Sequence, residues 1–188
     1  MVKDFYIKNM VCDRCIKVLK DELDGQNIEL LHIELGRLRL NIESEGEIQK
    51  LEMLLENNGF FLIGSTEEKL TEQVKVELIK ALQELPLDLD KKLSAHLADA
   101  LGHEYSKISK VFSITEGITI EKYFIKLKIE KVKELVQAKE LNFTEMAQLL
   151  DYSHINHLSG QFKSESGMSL TAYKSQQKNY RNALDKIM

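Results

Sequence analysis

The stretch "NFTEMAQLLDYSHINHLSGQFKSESGMSLTAYK" (142–174) decides how the second half of the chain is read. Its apolar residues recur at helical spacing, and the runs break at Asn142, at Asp151–Tyr152 and at Gly167. Helices are therefore expected at 143–150, 154–165 and 169–184. An earlier stretch, "KLSAHLADALGHEYSKISKVFSITEGITIEKYF" (92–124), follows the same course, so the two form an internal repeat of about 50 residues. Leu93 falls opposite Phe143, Ala98 opposite Ala147, Leu101 opposite Leu150, and Ile108 opposite Leu158. Phe112 falls opposite Phe162, Gly117 opposite Gly167, and Tyr123 opposite Tyr173.

Each repeat pairs a short helix carrying a small alanine, which lets a neighbour approach, with a second helix whose outer face is polar. That is the pattern of a helix-turn-helix, whose second helix offers polar side chains to base edges. Further helices are expected at 65–85, 91–101, 104–115 and 119–140. The first of these is capped by Ser65 or Thr66 and ended by Pro86, the single proline of the chain. The helix at 119–140 joins the two repeats.

These residues resemble the DNA-binding domain of AraC/XylS-type transcription regulators over roughly 67–184. The second repeat carries the more specific likeness: an alanine, a turn, an aromatic, a helix ending in Phe-Lys, a glycine and a final Tyr-Lys. Three positions depart from the family pattern. Leu170 stands where proline is usual, Lys174 where arginine is common, and Asp151 where glycine makes the turn. Asp151 must then adopt the left-handed turn conformation, which aspartate tolerates better than most residues. The resemblance implies sequence-specific binding of double-stranded DNA by two recognition helices in successive major grooves. The candidates are Tyr105, Ser106, Lys107, Ser109 and Lys110 in the first, and Ser153, His154, Asn156, His157, Gln161 and Lys163 in the second. Asn156 and Gln161 suit adenine; Lys107, Lys110 and Lys163 suit guanine or phosphate. Set beside this is the plainer reading that part of these residues only solvates a helix face. His154 and His157 also have the spacing of a two-ligand metal site, with no third ligand close in sequence. His32 and His96 read as structural, and His103 as a turn residue.

The first 64 residues mix periods. "FYIKNM" (5–10), "IELLHIEL" (28–35), "RLRLNI" (37–42) and "FFLIG" (60–64) read as strands. "CIKVLKDEL" (15–23) and the segment holding Ile48, Leu51, Leu54 and Leu55 read as helices. The order βαββαβ is that of a ferredoxin-like domain, in which two helices cover one face of an antiparallel sheet. The expected architecture is thus α+β. A ferredoxin-like domain at 1–64 precedes an all-α domain at 65–188, with two helix-turn-helix units joined by a long helix.

The only two cysteines, Cys12 and Cys15, stand where the first strand gives way to the first helix. Thiols three apart at a helix N-terminus converge outside the fold, and the dipole there favours thiolate. Two thiolates suit Cu(I), or half of a tetrahedral Zn(II) site completed by outside ligands, which a second subunit could supply in a homodimer. Strand, Met-x-Cys-x-x-Cys and helix within βαββαβ resemble the heavy-metal-associated domain of copper chaperones and metal-transport ATPases. Here Asn9 replaces the usual glycine and Val11 the usual small polar residue, and Met10 reads as a buried anchor. Other readings stand beside the metal site: a redox pair, against which the absence of any proline before Pro86 counts, and a domain that only mediates contacts.

Hydrophobic residues at 43% and charged residues at 30% describe a globular chain, not a disordered one. No apolar run is of membrane-spanning length, and the N-terminus lacks a basic segment followed by an apolar one, so a cytoplasmic protein is expected. The net charge of -4 hides a basic bias: residues 102–188 hold 13 Lys/Arg against 10 Asp/Glu. No phosphate loop, Ser/His/Asp set or paired carboxylates mark an enzyme. The sequence therefore reads as a metal-responsive transcription regulator. The alternative is a metal chaperone or storage protein whose helical half binds a protein.

Overall fold

The computed structural model describes residues 1–87, 92–176 and 181–187. The chain divides into two compact units, Met1–Val76 and the residues from Glu77 onward.

In the first unit the elements run β1 (Val2–Lys8), α1 (Asp13–Gly25), β2 (Glu29–Glu34), β3 (Arg37–Asn41), α2 (Glu45–Asn57) and β4 (Phe61–Leu62). The sheet order is β2-β3-β1-β4, with every neighbouring pair antiparallel. Alternation along β3 sends Leu38 and Leu40 into the core and Arg39 outward. There they meet Ile7, Leu19, Leu23, Leu51 and Leu55 from β1 and the two helices. On the outer face Arg37 and Arg39 both donate to Asp4. β1 begins earlier than the apolar run suggests, because its first residues are exposed and carry no burial pattern.

Two backbone positions fix the way the chain turns. Asn9 has φ 72, donates its side-chain amide to the Gly59 carbonyl at 3.1 Å, and its backbone N–H to Glu72 at 3.1 Å. Gly36, between β2 and β3, has φ +74, and a Cβ there would lie 3.1 Å from the Val76 side chain. Glu72 and Val76 belong to α3 (Thr66–Gln83), so the start of this helix packs with the sheet unit. Ser65 caps it, accepting from the Glu68 N–H at 3.1 Å.

The second unit holds α4 (Leu93–Leu101), α5 (Tyr105–Glu116), α6 (Ile120–Ala138), α7 (Phe143–Leu149), α8 (Ile155–Ser166) and α9 (Leu170–Ser175). The repeat seen in the sequence is a repeat of geometry. Phe112 and Tyr123 meet edge to face at 5.5 Å, and Phe162 and Tyr173 meet edge to face at 5.4 Å. Gly117 (φ 72) and Gly167 (φ 75) end α5 and α8 in the left-handed conformation. Thr119 and Ser169 then cap α6 and α9 through their hydroxyls. Alanine makes the close approach only in the second repeat: Ala147 is buried, whereas Leu97 fills the core in the first and Ala98 is half-buried.

The last helix is shorter than its periodicity implies. It stops at Ser175, residues 177–180 and residue 91 of the expected helices lie outside the described residues, and 184–186 form a 3-10 turn. Asn182 donates its backbone N–H and its amide to Glu130 of α6, at 2.9 and 3.1 Å. No helix among the described residues is long and apolar enough to cross a membrane.

Candidate nucleic-acid interface

α5 and α8 are the second helices of the two repeats, and each buries one side and bares the other. On α5, Ile108 and Phe112 face the core, and Ser106, Lys107, Lys110 and Ile114 are exposed. On α8, Leu158 and Phe162 face the core, and Asn156, His157, Gly160 and Ser164 are exposed at the equivalent places. Both exposed sets follow i, i+1, i+4, i+8 spacing, which keeps them on one helical stripe. The first stripe carries two ammonium groups; the second carries an amide, an imidazole, a hydroxyl and a glycine.

The turns before these helices are built differently. Gly102 closes α4 with φ 65 and leaves the start of α5 without a side-chain cap. In the second repeat Asp151 takes the left-handed role with φ 56. Asn142 and Glu145 form a capping box on α7, and His154 caps α8 by accepting the Asn156 N–H on Nδ1 at 3.1 Å.

Lys128, on α6, holds this second turn from below. Its ammonium donates to the Leu150 carbonyl at 2.8 Å and lies 4.8 Å from the Tyr152 ring centre and 5.2 Å from that of Phe124. Burial pulls its pKa down from the ordinary lysine value, and Asp151 opposes that. Burial likewise pushes the Tyr152 phenol up to about 12. Nothing local in the sequence flags Lys128, because Leu150 and Tyr152, the two groups of the turn that it holds, are more than twenty residues away.

The expected base-facing residues divide by what already holds them. Ser106, Lys107, Lys110, Ser153, His154, Asn156, His157 and Lys163 are exposed. Ser109 is half-buried. Tyr105 donates to Glu121 at the start of α6, and burial together with that carboxylate holds its phenol well above the ordinary value. Gln161 accepts from the Tyr152 hydroxyl at 2.8 Å. His157 meets Tyr152 edge to face at 5.5 Å. Lys174 lies 5.4 Å from the Phe143 ring centre, a cation–π contact that ties α9 to α7. Tyr105 and Gln161 thus brace the two helices from inside their own unit.

Residues 97–176 match the helix-turn-helix domain family. The matched span runs from the middle of α4 to just past the end of α9 and takes in most of the first repeat and all of the second, so the helix-turn-helix reading of the second unit stands. Among solved structures, the C-terminal domain of AraT, a response regulator from Geobacillus stearothermophilus, is 21% identical with a TM-score of 0.50. That likeness covers 63% of this chain and 95% of the other. A transcriptional regulator with an AraC-type DNA-binding domain from Chromobacterium violaceum is 14% identical with a TM-score of 0.49, over 57% and 94% of the two chains. The first likeness is one of fold. No curated protein matches.

The thiol pair lies in the first unit. Cys12 is the N-cap residue of α1, and its sulfur lies 3.3 Å from that of Cys15. Both are half-buried, and Met10 beneath them is fully buried. At Cys15 the backbone groups at the helix start favour thiolate, and burial opposes them. Burial pushes its pKa up, and the neighbouring Cys12 thiol adds to that. Among the described residues no group of three or more His, Cys, Asp or Glu is placed to hold an ion. Two soft sulfurs in reach of each other and of solvent fit a two-coordinate Cu(I) ion; they do not by themselves fit four-coordinate Zn(II).

Proposed function

We propose that the chain is a sequence-specific, DNA-binding transcription regulator of the AraC type, acting in the cytoplasm. The observation that carries this is the duplicated helix–turn–helix in which α5 and α8 each bare one polar stripe. Such stripes fit the major groove, where exposed ammonium and amide groups meet base edges and phosphates. α6, at 19 residues and about 28 Å long, joins the two helix-turn-helix repeats, which suits two readers working on one duplex.

The first unit is proposed to be a ferredoxin-like, heavy-metal-associated domain that reports on a soft metal. Cys12 and Cys15 would hold Cu(I), which brings an affinity for thiolate that no other pair of residues in the chain matches. Zn(II) would call on a second copy for its remaining ligands, making a homodimer. In either case the chain's own part is to lose the thiol protons and hold the sulfurs on the anchor that Met10 provides.

The test is a random-sequence duplex library exposed to the reduced protein, followed by titration of the selected duplex at several salt concentrations. Enrichment of one sequence and a steep fall of affinity with salt are expected. Adding Cu(I) should change that affinity for wild type and not for Cys12→Ser. Equal affinity with and without metal in wild type would remove the sensing role and leave the DNA reading standing.

A further inference from the structure

Ile114 is 74% exposed, far more than any other large apolar side chain described in the second unit. It lies on the outer stripe of α5 behind Lys107 and Lys110, at i+7 and i+4 from them. The equivalent residue of α8 is Ser164, so the apolar group belongs to one repeat alone. Of the residues three and four away from it, Lys110 is exposed and charged, and Val111 and Ile118 are only half-exposed, so Ile114 is the apolar side chain that stands out here. A protein partner would need a wider apolar area than one isoleucine. A base edge needs only one methyl-sized contact beside a cation, and thymine is the base that offers a methyl group in the major groove.

From this juxtaposition we infer that Ile114 is a specificity-determining residue that packs on the C5-methyl of a thymine while Lys110 engages a neighbouring guanine or phosphate. The inference rests on the DNA-binding reading above. Four residues of helix advance about 6 Å, roughly two base-pair steps at about 3.4 Å each. The half-site read by α5 therefore holds its required thymine about two steps from the position that Lys110 contacts. The half-site read by α8 has no counterpart of this contact.

The experiment starts from the duplex enriched out of the random library by the wild-type protein. Each thymine is replaced singly by deoxyuridine, which removes the methyl group and keeps every hydrogen-bonding atom. One position in the α5 half-site should lose affinity by about fourfold, the worth of one buried carbon. Ile114→Ser should lose that sensitivity, and Ile114→Val should keep it. Lys110→Ala should weaken binding overall and still show the uracil penalty. An exposed residue of this kind leaves the melting temperature unchanged, so unfolding does not imitate the effect. A uracil penalty of the same size in wild type and Ile114→Ser, or none at any position, would overturn the assignment. Failure of the library to enrich any sequence would overturn the DNA reading as well, and is told apart by coming first.

Discussion

Glu130 and Lys133 stand one turn apart on α6 and form an ion pair 2.6 Å long, with both side chains buried. Glu130 also accepts two bonds from Asn182, so one carboxylate closes the helix surface and holds the segment at 181–187. Arg181 adds a bond to Glu134 at 2.9 Å.

Removing one half of such a pair costs more than the pair contributes. Glu130→Leu takes the carboxylate away from the buried Lys133 ammonium and from Asn182, and should destabilise the second unit by about 3–5 kcal/mol. The double variant Glu130→Leu/Lys133→Met should recover much of that loss. Calorimetry of the transition belonging to the second unit reads both, and equal losses in single and double variants would contradict the account.

The two exposed stripes carry different charge, and salt should reveal it. Lys110→Ala should lower the slope of log affinity against log salt by about one. Asn156→Ala should lower affinity for the selected duplex and leave the slope as it is. Anisotropy titrations at a series of salt concentrations separate the two effects.

Tyr152 predicts a pH window. Its phenol is raised from 10.0 to about 12 in the fold, so the folded state holds this proton where the unfolded chain has released it. The stabilisation is complete below pH 10 and is lost as the pH climbs toward 12. Tyr152→Phe should flatten the fall in stability across that window relative to wild type, as measured by urea unfolding at successive pH values. It also removes the hydrogen bond to Gln161 and so should cost about 1 kcal/mol at neutral pH.

Asp151 holds a left-handed conformation that glycine takes without strain. Asp151→Ala should destabilise the second unit by about 1–2 kcal/mol. Asp151→Gly should be near neutral, since relief of the backbone is offset by a freer unfolded chain. Parallel losses in the two variants would mean that the carboxylate, and not the backbone, is what matters there.

Much of this molecule could be read from the residues in order. Helices announced themselves by period and by the glycines at 102, 117 and 167, and matching Phe112 with Phe162 and Tyr123 with Tyr173 anticipated two ring pairs that the structure brings together. Hidden were the contacts made across long separations. Lys128 looks like any solvated lysine until Leu150 and Tyr152 fold over it, and Asn182 gives no sign in sequence of the two bonds it makes to Glu130. Tyr105 and Gln161 have the right chemistry for bases, and only the folded chain shows that Glu121 and Tyr152 already occupy them. At Cys15 a rule about helix ends pointed one way and burial, invisible in sequence, pointed the other.

One position on α8 has a practical meaning for anyone wishing to change what the chain recognises. Gly160 stands where α5 has Lys110, in the middle of the outward stripe, and a Cβ there would meet nothing within 4 Å. Glycine inside a helix costs about 1 kcal/mol relative to alanine. On the proposed reading of α8 this position is a blank character, and a Cβ can be added there without a clash and with a gain in helix stability. A small library at this single residue offers a route to new target sequences without disturbing the scaffold that presents them.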